Sequence, residues 1–254
     1  MCPVPSGSAG EMNAAPDAPD VPRAGGAPTA RKLGPAVLTP ILVAALRARP
    51  IPLPPLLVAA GDRALRLVIE EGLLAPAVAY AIHSVAAVED QGIVLDDGTS
   101  LPTMARMTGA ERVAAAVCGI GRAIDRSAAA ALAAGSGRLA LALDLIGTHA
   151  LFRLSDYVRE LLRDEARGHG LTIGRPLEPG MEGFPLHDQG ILVRLADADK
   201  LGFYVTAFGV VGPGRVLTFA VPIGRNLPPW RPADRCLHCP SREACQRMGM
   251  AWDD

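Results

Sequence analysis

The chain has 254 residues, 50% of them hydrophobic and 20% charged, with a formal net charge of −1. That apolar content supplies a core and excludes wholesale disorder, and the length fits one large domain or two small ones. A charge near zero gives no overall field for holding nucleic acid or an anionic membrane surface.

Residues 1–34 are rich in Ala, Pro and Gly and poor in large apolar side chains. Burial there cannot offset chain entropy, so a disordered arm is expected. The arm opens MCPVPSGSAGEMN, without the basic and apolar regions of a secretory signal. A short helix is predicted over about 35–47, followed by the proline-punctuated connector ARPIPLPP. The apolar stretch from Val37 to Ala60 is interrupted by Arg47, Arg49 and a run of prolines. It therefore does not read as a membrane span, which needs about 20 apolar residues. Gly61 to Ala81 reads as a helix or as a mixture of helix and strand.

In GIVLDDGTSLPT (92–103), Asp97-Gly98 sits between two short apolar runs, the signature of a hairpin. Thr108 and Glu111 have the spacing of a capping box, and Val113, Val117, Ile120 and Ile124 follow at helical intervals. These predict a helix over 109–134. Gly135-Ser136-Gly137 ends it, and a second long helix is predicted from about 138 to 167, antiparallel to the first. Asp188 to Leu195 is a short helix candidate, while Phe203 to Phe208 and Val216 to Val221 read as strands around a Gly/Pro turn. This order of elements predicts an α+β fold, helices packed on an antiparallel sheet. The chain divides into the arm 1–34, a helical and hairpin segment 35–107, an α+β core 108–227 and a Cys-rich tail 228–254.

Three of the five cysteines fall within ten residues, in Cys236-Leu-His-Cys239-Pro-Ser-Arg-Glu-Ala-Cys245. A C-x2-C hairpin places two thiolates on one metal ion, and Cys245 is close enough to be a third ligand. Zinc and an iron–sulfur cluster both suit such thiolates. The fourth ligand stays open between the adjacent His238, the remote Cys118 and an exchangeable position. In a cytoplasmic chain, the localisation expected here, that pattern favours metal binding over a disulfide framework.

The loop from Gly174 to Gln189 combines prolines and glycines with Arg175, which can hold a carboxylate or a phosphate bidentately, or be a surface arginine of an ordinary connecting loop. His149 reads as a buried histidine of the second long helix. Asp96-Asp97 belong to the hairpin turn.

Taken in order, Asp144-Leu-Ile-Gly147-Thr148, Pro179-Gly180-Met181, Phe184-Pro-Leu-His-Asp-Gln189, Phe203 to Pro222 and Cys236-x-x-Cys239…Cys245-Gln-Arg247 resemble the activation domain of cobalamin-dependent methionine synthase and its stand-alone relatives. The resemblance covers about 108–249. It implies helices around a curved, mainly antiparallel sheet. It also implies an accessory role beside a corrinoid-binding protein or cobalamin-dependent methyltransferase. There the domain binds S-adenosylmethionine and supports reductive reactivation of cobalamin carried by the partner. Carried over, Arg175 would contact the methionine carboxylate, and Pro179, Gly180 and Met181 would offer backbone contacts. The family's tyrosine is Met181 here and a family glutamate is Phe152, with Asp156 one turn later as the nearest carboxylate. A non-catalytic, metal-bearing adaptor of the same fold, binding a corrinoid protein without S-adenosylmethionine, is the alternative.

Overall fold

The computed structural model describes residues 29–48, 51, 53–89, 92–102, 107–181, 183–228, 230 and 243. Among these, strands β1 (Thr29–Leu33), β2 (Ala77–Glu89), β3 (Gly92–Leu95), β4 (Ser100–Pro102), β5 (Arg112–Gly119) and β6 (Thr172–Ile173) join a late strand, Val216–Gly224, in one curled antiparallel sheet. Two short strands, β7 (Tyr204–Val205) and β8 (Val211–Gly212), pair separately, so the late strand is β9. The order is β4-β3-β2-β5-β9-β6, with β1 added on β2. β2 pairs with β5 along 77–84, with β1 along 78–82 and, past a bulge between Val85 and Ala87, with β3 along 85–89.

Helices α1 (Pro35–Ala48), α2 (Val58–Glu70), α3 (Ala123–Ala133) and α4 (Gly137–Gly168) cover one face of the sheet. The seven-residue α5 (Gln189–Leu195) and the segments around it cover the other. α4 is the spine of the helical layer. Its buried positions Leu143, Ile146, Ala150, Leu154, Val158 and Leu162 recur at helical spacing and meet Phe219, Val221 and Ile223 of β9. The α+β class, the helix over 35–48, the 92–102 hairpin and the long second helix all follow the sequence expectation. Gly61 to Ala81 resolves as the mixture, α2 running into β2.

Three expectations fail. The helix predicted over 109–134 is instead the central strand β5 followed by α3. β5 is flanked by β2 and β9 and covered on both faces. Val113, Ala115 and Val117 point to the α5 side, while Ala114, Ala116 and Cys118 point to the helical side. A strand buried on both faces shows no polar alternation, so its Val spacing passes for a helical stripe. Glu111 caps no helix. Its backbone N–H donates to Ile223 O and its carboxylate accepts from Arg225 N–H, both at the sheet end.

The arm does not extend to residue 34, because residues 29–33 form β1. Among the described side chains of this strand only Leu33 packs on the core, so backbone pairing and charge hold it in place of apolar burial. Lys32 Nζ donates to Asp197 Oδ2 at 2.7 Å, and Arg31 lies 4.0 Å from Glu165, which also accepts from the buried Tyr80 hydroxyl. The strand expected over 203–208 shrinks to β7, because Thr206 to Val210 form the turn to β8. Among the described residues, no helix is long and apolar enough to cross a membrane.

Candidate functional site

α1 packs against α4, and a groove of about 320 Å³ lies along them, with Ala45 and Ala48 of α1 in its lining. Leu38, Ile41, Leu42 and Leu154 make its apolar surface. Arg153, Asp156, Tyr157 and Glu160 of α4 line it as well, brought together by spacings of three and four residues. A mainly apolar cavity with a few convergent polar groups is the usual form of a small-molecule site, and roughly 300 Å³ is the lower end of such volumes.

Asp156 also faces a second structure. Arg159, one turn further along α4, is 1% exposed although charged. Its Nη1 donates to Asp156 Oδ1 at 2.8 Å and to Ser155 Oγ at 3.3 Å, and its Nη2 donates to Glu178 Oε1 at 3.0 Å. The guanidinium lies 4.7 Å from the Phe219 ring centroid and 5.5 Å from that of Trp230. Two carboxylates and two aromatic faces are what a buried arginine needs to stay charged.

Glu178 begins the turn containing Pro179, Gly180 and Met181. Gly180 N–H donates to Phe184 O at 2.7 Å, and Phe184 N–H donates to Met181 O at 3.0 Å. Gly180 has φ +93°, a backbone that favours glycine, which explains the residue type here. The Glu178 N–H points to Met181 Sδ at 3.3 Å. Phe184 anchors the turn in the core on the α5 face of the sheet.

The structure thus joins Asp156 to the 178–181 turn through Arg159. Arg175 lies three residues before Glu178, half-buried, on a segment that runs beside β9 through the Gly174 N–H to Pro222 O and Leu177 N–H to Ala220 O bonds. Cys236, His238, Cys239 and Cys245 lie outside the described residues. Among the described residues no group of three or more His, Cys, Asp or Glu is arranged to hold a metal ion. Cys118, weighed as a remote ligand, is wholly buried in β5, where burial pushes its thiol up to about 12, an environment for the neutral thiol. His149 is buried in α4, and burial, then Arg153, lowers its pKa.

Arg159 and Glu178 escaped the sequence reading. A charged residue in the middle of an amphipathic helix ordinarily marks the solvated face. The available signal was Arg159 three residues after Asp156, on the stripe of Ser155 and Leu162.

The Asp144-Leu-Ile-Gly147-Thr148 stretch has a separate job. Arg215, on the turn into β9, donates from Nε to Asp125 of α3 at 2.6 Å, from Nη2 to Asp144 at 2.5 Å and from Nη1 to Thr148 Oγ1 at 2.8 Å. A Cβ at Gly147 would sit 3.0 Å from Arg215 Nε, so glycine gives the guanidinium its room. This motif clamps α3 and α4 to the sheet.

No family model matches the chain, and no curated protein matches it in sequence. Among solved structures, the chain is similar to a crystal structure of the MetH reactivation domain bound to AdoHcy. The TM-score is 0.55 and the identity 12%, over 88% of this chain and 86% of that one. At such identity the likeness shows the fold, and it is the fold that the resemblance implied.

Proposed function

We propose that the chain is an accessory subunit of a cobalamin-dependent methyltransferase system of the methionine synthase kind, and that the α1–α4 groove with the adjoining 178–181 turn holds S-adenosylmethionine. The supporting observation is the junction itself: Asp156, on the wall of a groove of small-molecule size, is tied through Arg159 to the Pro179–Gly180–Met181 turn. The structural neighbour's bound AdoHcy supports the same ligand class. Asp156 and Glu160 would attract the ammonium and sulfonium of the ligand, Arg175 its carboxylate, and the apolar α1 wall its uncharged parts. S-adenosylmethionine would supply the methyl group, an external one-electron donor would supply the electron that oxidised cobalamin lacks, and cobalamin on a corrinoid-binding partner would accept both. This chain supplies binding and orientation. Cys236, Cys239 and Cys245, with His238 adjacent, would offer thiolates to zinc or an iron–sulfur cluster. Anaerobic purification with metal analysis and absorption spectroscopy tells the two apart.

Calorimetric titration with S-adenosylmethionine tests the reading. One site of micromolar affinity is expected. Asp156→Asn and Arg175→Ala should each weaken it by about one to two decades, the value of a charge-assisted contact. Absence of heat at millimolar ligand, with the protein folded, would sink it. One observation favours the adaptor reading: the Met181 sulfur is turned back toward the Glu178 N–H and packs on its own turn. A colourless, zinc-loaded protein that captures a corrinoid protein without binding S-adenosylmethionine would establish that alternative.

A further inference from the structure

We propose that Arg159 is the positioning residue of this site: one buried guanidinium sets the distance between Asp156 on the groove wall and the Glu178–Met181 turn, and thereby fixes the geometry that a ligand meets. The inference rests on the reading of the groove given above.

Asp156 comes from a helix and Glu178 from a loop, and two carboxylates left to themselves repel. Arg159 stands between them with one nitrogen for each, Nη1 to Asp156 at 2.8 Å and Nη2 to Glu178 at 3.0 Å. The fork of a guanidinium is planar and rigid, so the position of one carboxylate dictates that of the other. Phe219 of β9 lies under the plane at 4.7 Å from its ring centroid, and Trp230 lies 5.5 Å away. These rings limit rotation of the guanidinium and tie it to the sheet. From Glu178 the constraint passes along the chain, because Met181 N–H donates to Glu178 O at 3.1 Å and Gly180 N–H closes on Phe184 O. A lysine would keep the charge and lose the fork.

The test pairs a ligand-free readout with a ligand readout. Arg159→Lys and Glu178→Gln are compared with the unaltered full chain by amide hydrogen exchange without ligand, and by calorimetry with S-adenosylmethionine. The expected result is exchange at Gly180, Met181 and Phe184 faster by about tenfold or more in both variants, with α4 unchanged in Glu178→Gln. Affinity should fall about tenfold in each. The effects of Asp156→Asn and Glu178→Gln on affinity should be non-additive when Arg159 is present and additive in the Arg159→Lys background. A merely structural arginine would lower the melting temperature and raise exchange throughout α4 and β9, leaving the two carboxylate substitutions additive with Arg159 in place; that result overturns the proposal. Unchanged exchange at the turn in both variants also overturns it. Faster turn exchange with no binding of S-adenosylmethionine by the unaltered protein supports the positioning role and removes the ligand reading, so the two failures are distinct.

Discussion

The two halves of α4 are held by the same chemistry in different surroundings. Near its start, Arg215 gathers Asp125, Asp144 and Thr148 with a side chain 21% exposed. In its second half, Arg159, its side chain 1% exposed, gathers Asp156 and Glu178 beside two aromatic rings. Water reaches both the cation and the carboxylates of the first cluster, whereas in the second it touches Asp156 and Glu178, 18% and 27% exposed, but not the guanidinium. The first is a clamp whose loss the surroundings can repair with solvent. The second is built on a guanidinium that depends on its carboxylates, because a buried cation has little solvent to turn to.

Removing one partner is therefore the sharpest way to test the contrast. Arg159→Met should destabilise the protein by about 3 kcal/mol, the low end for breaking a buried pair, because the two carboxylates that lose Arg159 are themselves partly exposed. Urea denaturation measures it. Replacing Arg159, Asp156 and Glu178 together with apolar residues of similar volume should recover most of that loss. If the triple variant is as unstable as the single one, the cost lies in packing against Phe219 and Trp230 and not in charge.

Arg215→Met should cost less, about 1–2 kcal/mol, since its partners can turn to water. The loss should shrink further in 1 M salt, where the screening length is about 3 Å, while the Arg159 effect should shrink less because its guanidinium is buried. Equal salt sensitivity of the two variants would erase the distinction between the clusters.

The same contrast explains what the sequence could and could not reveal. α4 was legible because its Leu, Ile and Val positions keep helical spacing across a polar face. β5 was not, because RVAAAVCG is buried on both faces and presents no alternation. β1 was not, because its stability comes from pairing with β2 and from Lys32, and neither leaves a hydrophobic pattern. Asp156 and the Pro179–Gly180–Met181 turn could be singled out by their order in the chain. Arg159 and Glu178 could not, since burial alone distinguishes them from the arginines and glutamates of the helix surface. In Asp144-Leu-Ile-Gly147-Thr148 the residues were legible as a motif, but their use depends on Arg215, which lies 71 positions from Asp144.

A third ion cluster extends the series toward solvent and carries the smallest effect. Asp197, its side chain 38% exposed and its φ at +53°, accepts from Lys32 Nζ at 2.7 Å and lies 2.6 Å from Lys200 Nζ. Lys32 and Lys200 are the only two lysines of the chain, so both converge on one carboxylate. Sharing suits them, since an ammonium is a compact charge on a flexible stem and makes no bidentate demand. Hydrogen bonds from Lys200 and then Lys32 hold the Asp197 carboxyl at about 2 against an ordinary 3.8. A carboxyl depressed in the folded state stabilises that state fully above the unfolded value, and the contribution fades as pH falls from about 4 through about 2. Asp197→Asn lacks this term at every pH. The gap in stability between the unaltered protein and the variant should therefore be present at pH 5 and shrink through that acid window, as read from denaturation midpoints at each pH. It should be smaller than the Arg215 effect, because the exposed pair is screened and its long side chains lose freedom on pairing. A gap that stays constant down to pH 2 would mean that Asp197 acts through its left-handed backbone alone, and that the two lysines do not hold β1 to the segment after α5.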